Sequence, residues 1–255
     1  GIAYDSVNNR LFVSQTTGNR VTVYNTTSIT NGMNASNVIG QSSFTVGTAA
    51  TTQAGMNNPQ GVAYDSTNNR LFVSQSTANR VTVYNTTSIT DGMNASNVLG
   101  QSLFTTATAA TTQSGLSGPI GGLAYDGTNN RLFVPDTTNN RVLIYNTTSI
   151  TNGMNASNVL GQSSFTVGTA ATTQAGMNSP RGLVYDSVNN RLFVAQSTAN
   201  RVTVYNTTSI TDGMNATDLI GQYDDASGAV VNYTKSGANN TPNVYGISGA
   251  VYNNA

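Results

Sequence analysis

The residues best suited to chemistry in this chain are arginines, aspartates and asparagines at fixed intervals. Arginines come in pairs ten residues apart: Arg10 and Arg20, Arg70 and Arg80, Arg131 and Arg141, Arg191 and Arg201. Each follows an Asn at the start of an apolar run. A ring of such cations could bind an anionic ligand. Because the pattern recurs identically, the stronger reading is structural: each Arg bonds turn carbonyls or its unit's Asp, such as Asp65, Asp126 or Asp186. The aspartates Asp5, Asp65, Asp126 and Asp186 each precede an Asn-Asn pair. Their oxygens suit Ca²⁺, a hard cation that takes six to eight oxygen ligands. One Asp per turn supplies little charge, so turn formation is the better reading. Asp224-Asp225 is the one carboxylate cluster and reads as a solvated loop. No metal ligand set and no cofactor site is expected.

The Asn-x-Ser/Thr acceptors are the most suggestive chemical feature. Asn25, Asn34, Asn85, Asn94, Asn146, Asn155, Asn206, Asn215, Asn232 and Asn239 all fit the pattern without Pro. The motif marks N-glycosylation in a secreted chain. Against it, Asn and Thr abound here, and duplication multiplies a chance match.

Enzymatic chemistry is poorly provided for. The chain contains no His, no Cys and no Glu. General acid–base work near neutral pH most often uses His, Ser-His-Asp and Cys-His arrangements need it, and zinc sites draw on Cys and His. There is no Gly-rich phosphate cradle or dinucleotide fingerprint. We expect no catalytic residues.

These residues sit in a sequence that says nearly the same thing four times. Gly1-Ile-Ala-Tyr-Asp5 returns as Gly61–Asp65, Gly122–Asp126 and Gly182–Asp186, at spacings of 60, 61 and 60 residues. Such a period signals stacked or radially arrayed units, none of which buries its apolar face alone. In the second unit three short runs, Gly61–Asp65, Arg70–Gln75 and Arg80–Asn85, are separated by the turns Ser66–Asn69 and Ser76–Asn79. This predicts an antiparallel meander. Asn, Asp and Ser suit the turns because they bond their own backbone and tolerate left-handed conformations. A fourth strand is expected in Ser96–Gln101, followed by a polar segment from Thr105 to Gly118. The second run is apolar on both faces, with Leu71 and Val73 pointing one way and Phe72 the other. A sheet with one wet face would alternate. Sheets packed face to face by neighbouring repeats are therefore expected, as in the blades of a β-propeller.

The pattern Pro59-Gln-Gly-Val-Ala-Tyr-Asp65, Arg70-Leu-Phe-Val and Ala78-Asn-Arg-Val-Thr-Val-Tyr84 resembles the NHL repeat of six-bladed propellers. Asn139–Tyr145, preceded by Pro135-Asp136, is the closest match. The resemblance covers Gly1 to Gln222 and implies a propeller fold without implying a particular function. Two departures stand out: the unit is longer than the usual repeat because of its Thr- and Ala-rich connection, and Gln15, Gln75 and Gln196 replace the Asp after the second strand.

The expected class is thus all-β, a β-propeller of four-stranded antiparallel blades, with four clear repeats plus the start of a fifth. Repeats span 1–60, 61–121, 122–181 and 182–221. Residues 222–255 read as a divergent connection and the first strand of a partial fifth unit. The chain opens on a strand-like segment without an initiator Met or signal peptide, which suggests a mature, processed or partial sequence. Three arrangements remain open: a small closed ring, part of a larger propeller, or an assembly in which terminal sheets pair with another copy.

Charged residues are only 8% of the chain and its net charge is zero, so nothing attracts nucleic acid or anionic lipid. No stretch approaches the roughly 18 apolar residues of a membrane span. Absence of Cys rules out disulfides but does not fix the compartment. Two functions fit. One is a non-enzymatic extracellular or cell-surface structural or adhesive protein, a filament or surface-layer component that self-associates or meets another cell-surface protein or glycan. The other is a recognition propeller binding a peptide, protein or glycan through variable positions: Pro135, Asp136, Gly118 to Gly121, and Arg181. Near-identity of the units favours the first, since a scaffold can keep its copies alike.

Overall fold

The computed structural model describes residues 1–222 and 231–237. It contains four antiparallel sheets of four strands each. Blade one is β1 (Ile2–Asp5), β2 (Arg10–Gln15), β3 (Arg20–Asn25) and β4 (Asn37–Ile39). Blade two is β5 (Pro59–Asp65), β6 (Arg70–Gln75), β7 (Arg80–Asn85) and β8 (Asn97–Leu99). Blade three is β9 (Ala124–Asp126), β10 (Arg131–Asp136), β11 (Arg141–Asn146) and β12 (Asn158–Leu160). Blade four is β13 (Pro180–Asp186), β14 (Arg191–Gln196), β15 (Arg201–Asn206) and β16 (Asp218–Ile220). Strands follow one another across each sheet, as expected for a meander.

The turns form for the predicted reason. Asn9, Asn69, Asn130 and Asn190 have φ between 51° and 53°, in the left-handed region that Asn tolerates. Asn19, Asn79, Asn140 and Asn200 do the same in the second hairpin, at 48° to 52°. The side chain adds a second use there. Asn79 Oδ1 accepts the Gly118 N–H at 2.7 Å, and its Nδ2 donates to the Ala107 carbonyl at 2.9 Å. The turn is thereby tied to its own blade's long connection.

Several strand bounds differ from expectation, and the first strands of blades two and four begin two residues early, at Pro59 and Pro180. The fourth strands are three residues long rather than six, because only Asn97–Leu99 pairs with β7. The first strand of blade three is also short: β9 keeps three residues where β5 and β13 have seven. Pro135 explains this. It lies in β10 where Ser14 stands in β2, and the Ser14 N–H donates to the Gly1 carbonyl at 2.9 Å. Pro has no N–H to give, so the ladder stops early. The strand expected at the end of the segment 222–255 lies outside the described residues, which in this segment are Gln222 and 231–237 of the connection.

The core lies between blades. Phe12, Val21, Val23, Ile39 and Met56 of blade one pack on Val62, Leu71, Val73 and Tyr84 of blade two. Equivalent layers join blades two and three, and blades three and four. Both faces of β6 are buried, as its sequence predicts. Stacked aromatic pairs recur at each junction: Phe12 with Tyr64, Phe72 with Tyr125, and Phe133 with Tyr185, at 5.3, 5.5 and 5.6 Å. Among the described residues no such layer and no hydrogen bond joins blade four to blade one. Among the described residues the blades therefore form a series that does not close.

Candidate functional site

The repeating ionisable residues serve the fold. Asp65 Oδ1 accepts the Thr67 and Asn68 N–H groups, while Oδ2 accepts Asn68 Nδ2 at 2.9 Å and Arg70 Nη2 at 2.6 Å. Asp5 with Arg10 and Asp126 with Arg131 repeat the pair at 2.6 Å. Burial alone would raise the Asp65 carboxyl, but its bonds from Asn68 and Arg70 hold it below the usual carboxylate range. Each of these arginines also reaches forward. Arg10 Nη1 donates to the Thr86 carbonyl at 2.7 Å, Arg70 to Thr147 at 2.6 Å, and Arg131 to Thr207 at 2.8 Å. One guanidinium thus fixes a turn and staples the next blade.

The second arginine of each pair holds the enlarged connection. Arg80, Arg141 and Arg201 are wholly buried. Arg80 Nη2 donates backward to the carbonyls of Thr52 and Gly55 at 3.1 and 3.0 Å, and to Gln75 Oε1 at 3.0 Å. Its Nη1 donates to the Phe104 carbonyl of its own connection. Two consecutive connections therefore wrap around one buried cation, which gives the longer repeat a structural reason. In blade three Asp136 replaces the Gln and pairs with Arg141 at 2.7 Å, both fully buried. Burial nevertheless pushes the Asp136 carboxyl up, against the pull of Arg141. Ligand readings for these arginines and aspartates lose their free groups. Among the described residues no three of His, Cys, Asp and Glu gather into a metal-binding group. Asp224-Asp225 lies outside the described residues.

Sequence variability converges on one place. The first strands of all four blades line a cavity of about 580 Å³. At corresponding positions of three blades its lining carries Gln60, Ile120 and Arg181. Blade three has one residue more here than blades two and four, and Gly121 takes φ of 102°. Pro135 loosens the same segment by releasing it from β10. Of the positions singled out for recognition, Ile120, Gly121 and Arg181 meet at this cavity, whereas Asp136 is buried in its ion pair. The cavity itself leaves no trace in periodicity. A differing residue at a repeated position is the one sequence signal for it.

The glycosylation candidates fall into two sets. Asn25, Asn85, Asn146 and Asn206 end the third strand of each blade and are exposed. Each Oδ1 accepts the N–H two residues on, such as Thr87 at 2.9 Å. Asn34, Asn94, Asn155 and Asn215 are exposed on the connection to the fourth strand. In these, the acceptor hydroxyl bonds the third strand, as Ser96 Oγ does to the Val83 carbonyl at 2.9 Å. Asn85 faces Arg70 in the ladder, so both sets leave from the end of the blade that holds the Asp–Arg pairs. Asn232 is half-buried and Asn239 is outside the described residues.

The first and last of the described blades expose residues that are buried elsewhere. Ile2 and Tyr4 are 56% and 52% exposed, whereas Val62 and Leu123, which match Ile2, are at 5% and 6%. At the other end Ile220 is 47% exposed, against 0% for Ile39, Leu99 and Leu160.

No protein-family model and no curated protein sequence matches this chain. Solved structures do. A chain in a nidogen/laminin complex is similar at TM-score 0.53 and 15% identity, over 86% of this chain and 62% of its own length. A chain in a mitotic checkpoint complex is similar at TM-score 0.53 and 14% identity, over 86% of this chain and 48% of its own length. This chain therefore spans about three fifths and about half of these two. At such identity the likeness establishes the β-propeller fold and nothing finer. Among the described residues no helix is long and apolar enough to cross a membrane.

Proposed function

We propose that this chain is a non-enzymatic, NHL-like propeller module of the cell exterior with a structural or adhesive role. The observation that carries this reading is where its charge goes. Apart from Arg191 of blade four, which is exposed, the paired Arg and Asp residues of the repeat are spent inside and between blades. The surface left over is Asn, Thr and Ser, with an exposed Asn acceptor on both sides of each outer connection. Sugar on those eight sites would coat one end of the blades and leave the other bare. A self-association partner or another cell-surface protein or glycan fits such a module. Its two protein-complex neighbours in fold space suit a binding role, though fold alone does not license a function. Antibody labelling of intact cells of the native host tests the reading, together with the mass shift on enzymatic removal of N-linked sugar. Surface label is expected. Label that appears only after permeabilisation would overturn it.

The cavity favours a second reading. Gln60, Ile120 and Arg181 differ at one repeated position, where a recognition propeller would diversify. A peptide and glycan array read with the wild type and with Arg181→Ala separates the two: a hit lost in the variant supports recognition by this cavity.

A further inference from the structure

Three junctions between blades use the same polar contacts, and among the described residues blade one and blade four carry the unmatched halves of a fourth. At the outer rim, the loop of the following blade caps the fourth strand of the preceding one. Asp91 Oδ1 accepts the Val38 N–H at 3.0 Å and Asn37 Nδ2 at 3.3 Å. Asn152 accepts Val98 and Asn97 at 3.1 and 3.4 Å. Asp212 accepts Val159 and Asn158 at 3.0 and 3.2 Å. The next loop residue returns a bond: Gly92, Gly153 and Gly213 N–H groups donate to the Val38, Val98 and Val159 carbonyls at 3.0, 2.9 and 3.0 Å.

Blade one carries this loop as Asn31-Gly32, with both residues exposed and nothing within 4 Å of a Cβ placed on Gly32. The matching Gly92 packs on Ser42 of the preceding blade. Blade four carries the complementary edge as Asp218-Leu219. Its Arg191 corresponds to Arg10, Arg70 and Arg131 but remains exposed and forms no ion pair with Asp186, whose carboxyl is held low chiefly by its bond from Asn189. What it lacks is the next blade's Thr carbonyl. Thr26 of blade one stands where Thr86, Thr147 and Thr207 accept that bond. Phe193 of blade four is half-exposed where Phe133 stacks on Tyr185, and Tyr4 of blade one is the unstacked counterpart.

We propose that blade four docks on blade one of a second copy of this chain, head to tail. This deepens the structural reading above by naming its partner. Charge at the loop position selects that copy's first blade. Junctions pair Asn37 with Asp91, Asn97 with Asn152, and Asn158 with Asp212, so no carboxylate meets another. Asp218 would face a like charge on a loop such as Asp91 or Asp212. Asn31 presents an amide donor to it, and Asn152, the other neutral loop, is already engaged. The contact is heterologous, since the two faces differ, and it can repeat.

Sedimentation velocity on the 255-residue chain across a wide concentration range tests this. The wild type is expected to associate with rising concentration. Asn31→Asp sets two carboxylates against each other and is expected to weaken association by about tenfold or more at low salt. Adding Asp218→Asn restores it by rebuilding the opposite-sided pair seen at Asn37 and Asp91. Asn31 has no intramolecular bond, so an unchanged melting temperature verifies that N31D folds. A wild type that stays monomeric throughout overturns the proposal, as does association indifferent to N31D or a double variant that fails to recover. A monomer that still labels the cell surface would overturn this docking alone and leave the adhesive reading standing.

Discussion

The Arg80 guanidinium lies 3.0 Å from the carbonyl oxygen of Gly55, a residue of the preceding repeat. A buried cation is thus balanced by carbonyl dipoles and one Gln side chain, with no carboxylate among its hydrogen-bond partners. Burial lowers its pKa accordingly. Removing it strips the acceptors of Thr52, Gly55, Gln75 and Phe104 at once. Buried polar groups left unpaired cost about 1–3 kcal/mol each. We expect Arg80→Ala to lose at least about 3 kcal/mol in urea melts. Arg20, which is half-exposed and donates to Gln15 Oε1 and the Phe44 carbonyl, should lose about 1 kcal/mol on the same change.

Close approach of the inner strands sets a second expectation. A Cβ on Gly61 would lie 2.1 Å from the Gly121 carbonyl oxygen. Backbone has to move to admit it, at a cost of about 1–3 kcal/mol. Gly122 has nothing nearer than 3.8 Å. Thermal melts should therefore separate Gly61→Ala from a near-neutral Gly122→Ala, although both lie where blades two and three meet near the cavity.

The ring of Tyr145 is fully buried, but its hydroxyl has no hydrogen-bond partner. Burial accordingly drives its pKa upward. Tyr145→Phe keeps the ring and removes the unpaired oxygen. Stability should be unchanged or rise by about 1 kcal/mol. A loss of that size in chemical denaturation would mean that the hydroxyl has a partner in solution.

Strand order and the interblade core were legible because β6 announces burial on both faces, and Asn pairs announce the left-handed turns. Reach between repeats was not legible. The sequence places Arg70 five residues from Asp65 and so predicts their pair, but the Thr147 carbonyl lies 77 residues away and any backbone oxygen looks alike in sequence. Pro135 was a readable signal for the short β9, since a Pro in an inner strand removes a ladder donor. Tyr4 and Tyr64 are the same residue in the same motif. Only a preceding blade decides that one is exposed and the other stacked.

Acid should act on the Asp–Arg pairs and on Asp136 in opposite directions. Asp5, Asp65 and Asp126 titrate below the ordinary 3.8: burial raises each, and the bonds from Asn and Arg outweigh it. Below 3.8 the unfolded chain takes up protons that the native carboxylates refuse, so these pairs stabilise above that pH and their contribution drains away as pH falls through the lowered native values. Asp136 titrates above 3.8 because burial dominates. In the window between 3.8 and its raised value the native state holds the extra proton, and stability there falls as pH rises. Melting temperature followed from pH 7 downward should first increase slightly and then drop once the pH passes below about 4. Asp136→Asn should abolish the initial increase and keep the drop. Asp65→Asn should shrink the drop by its own share, at the expense of a lower melting temperature at neutral pH, because the Arg70 charge is then left without its carboxylate. A melting temperature that declines evenly from pH 7, with no difference between the two variants, would show that these carboxyls do not govern the acid response.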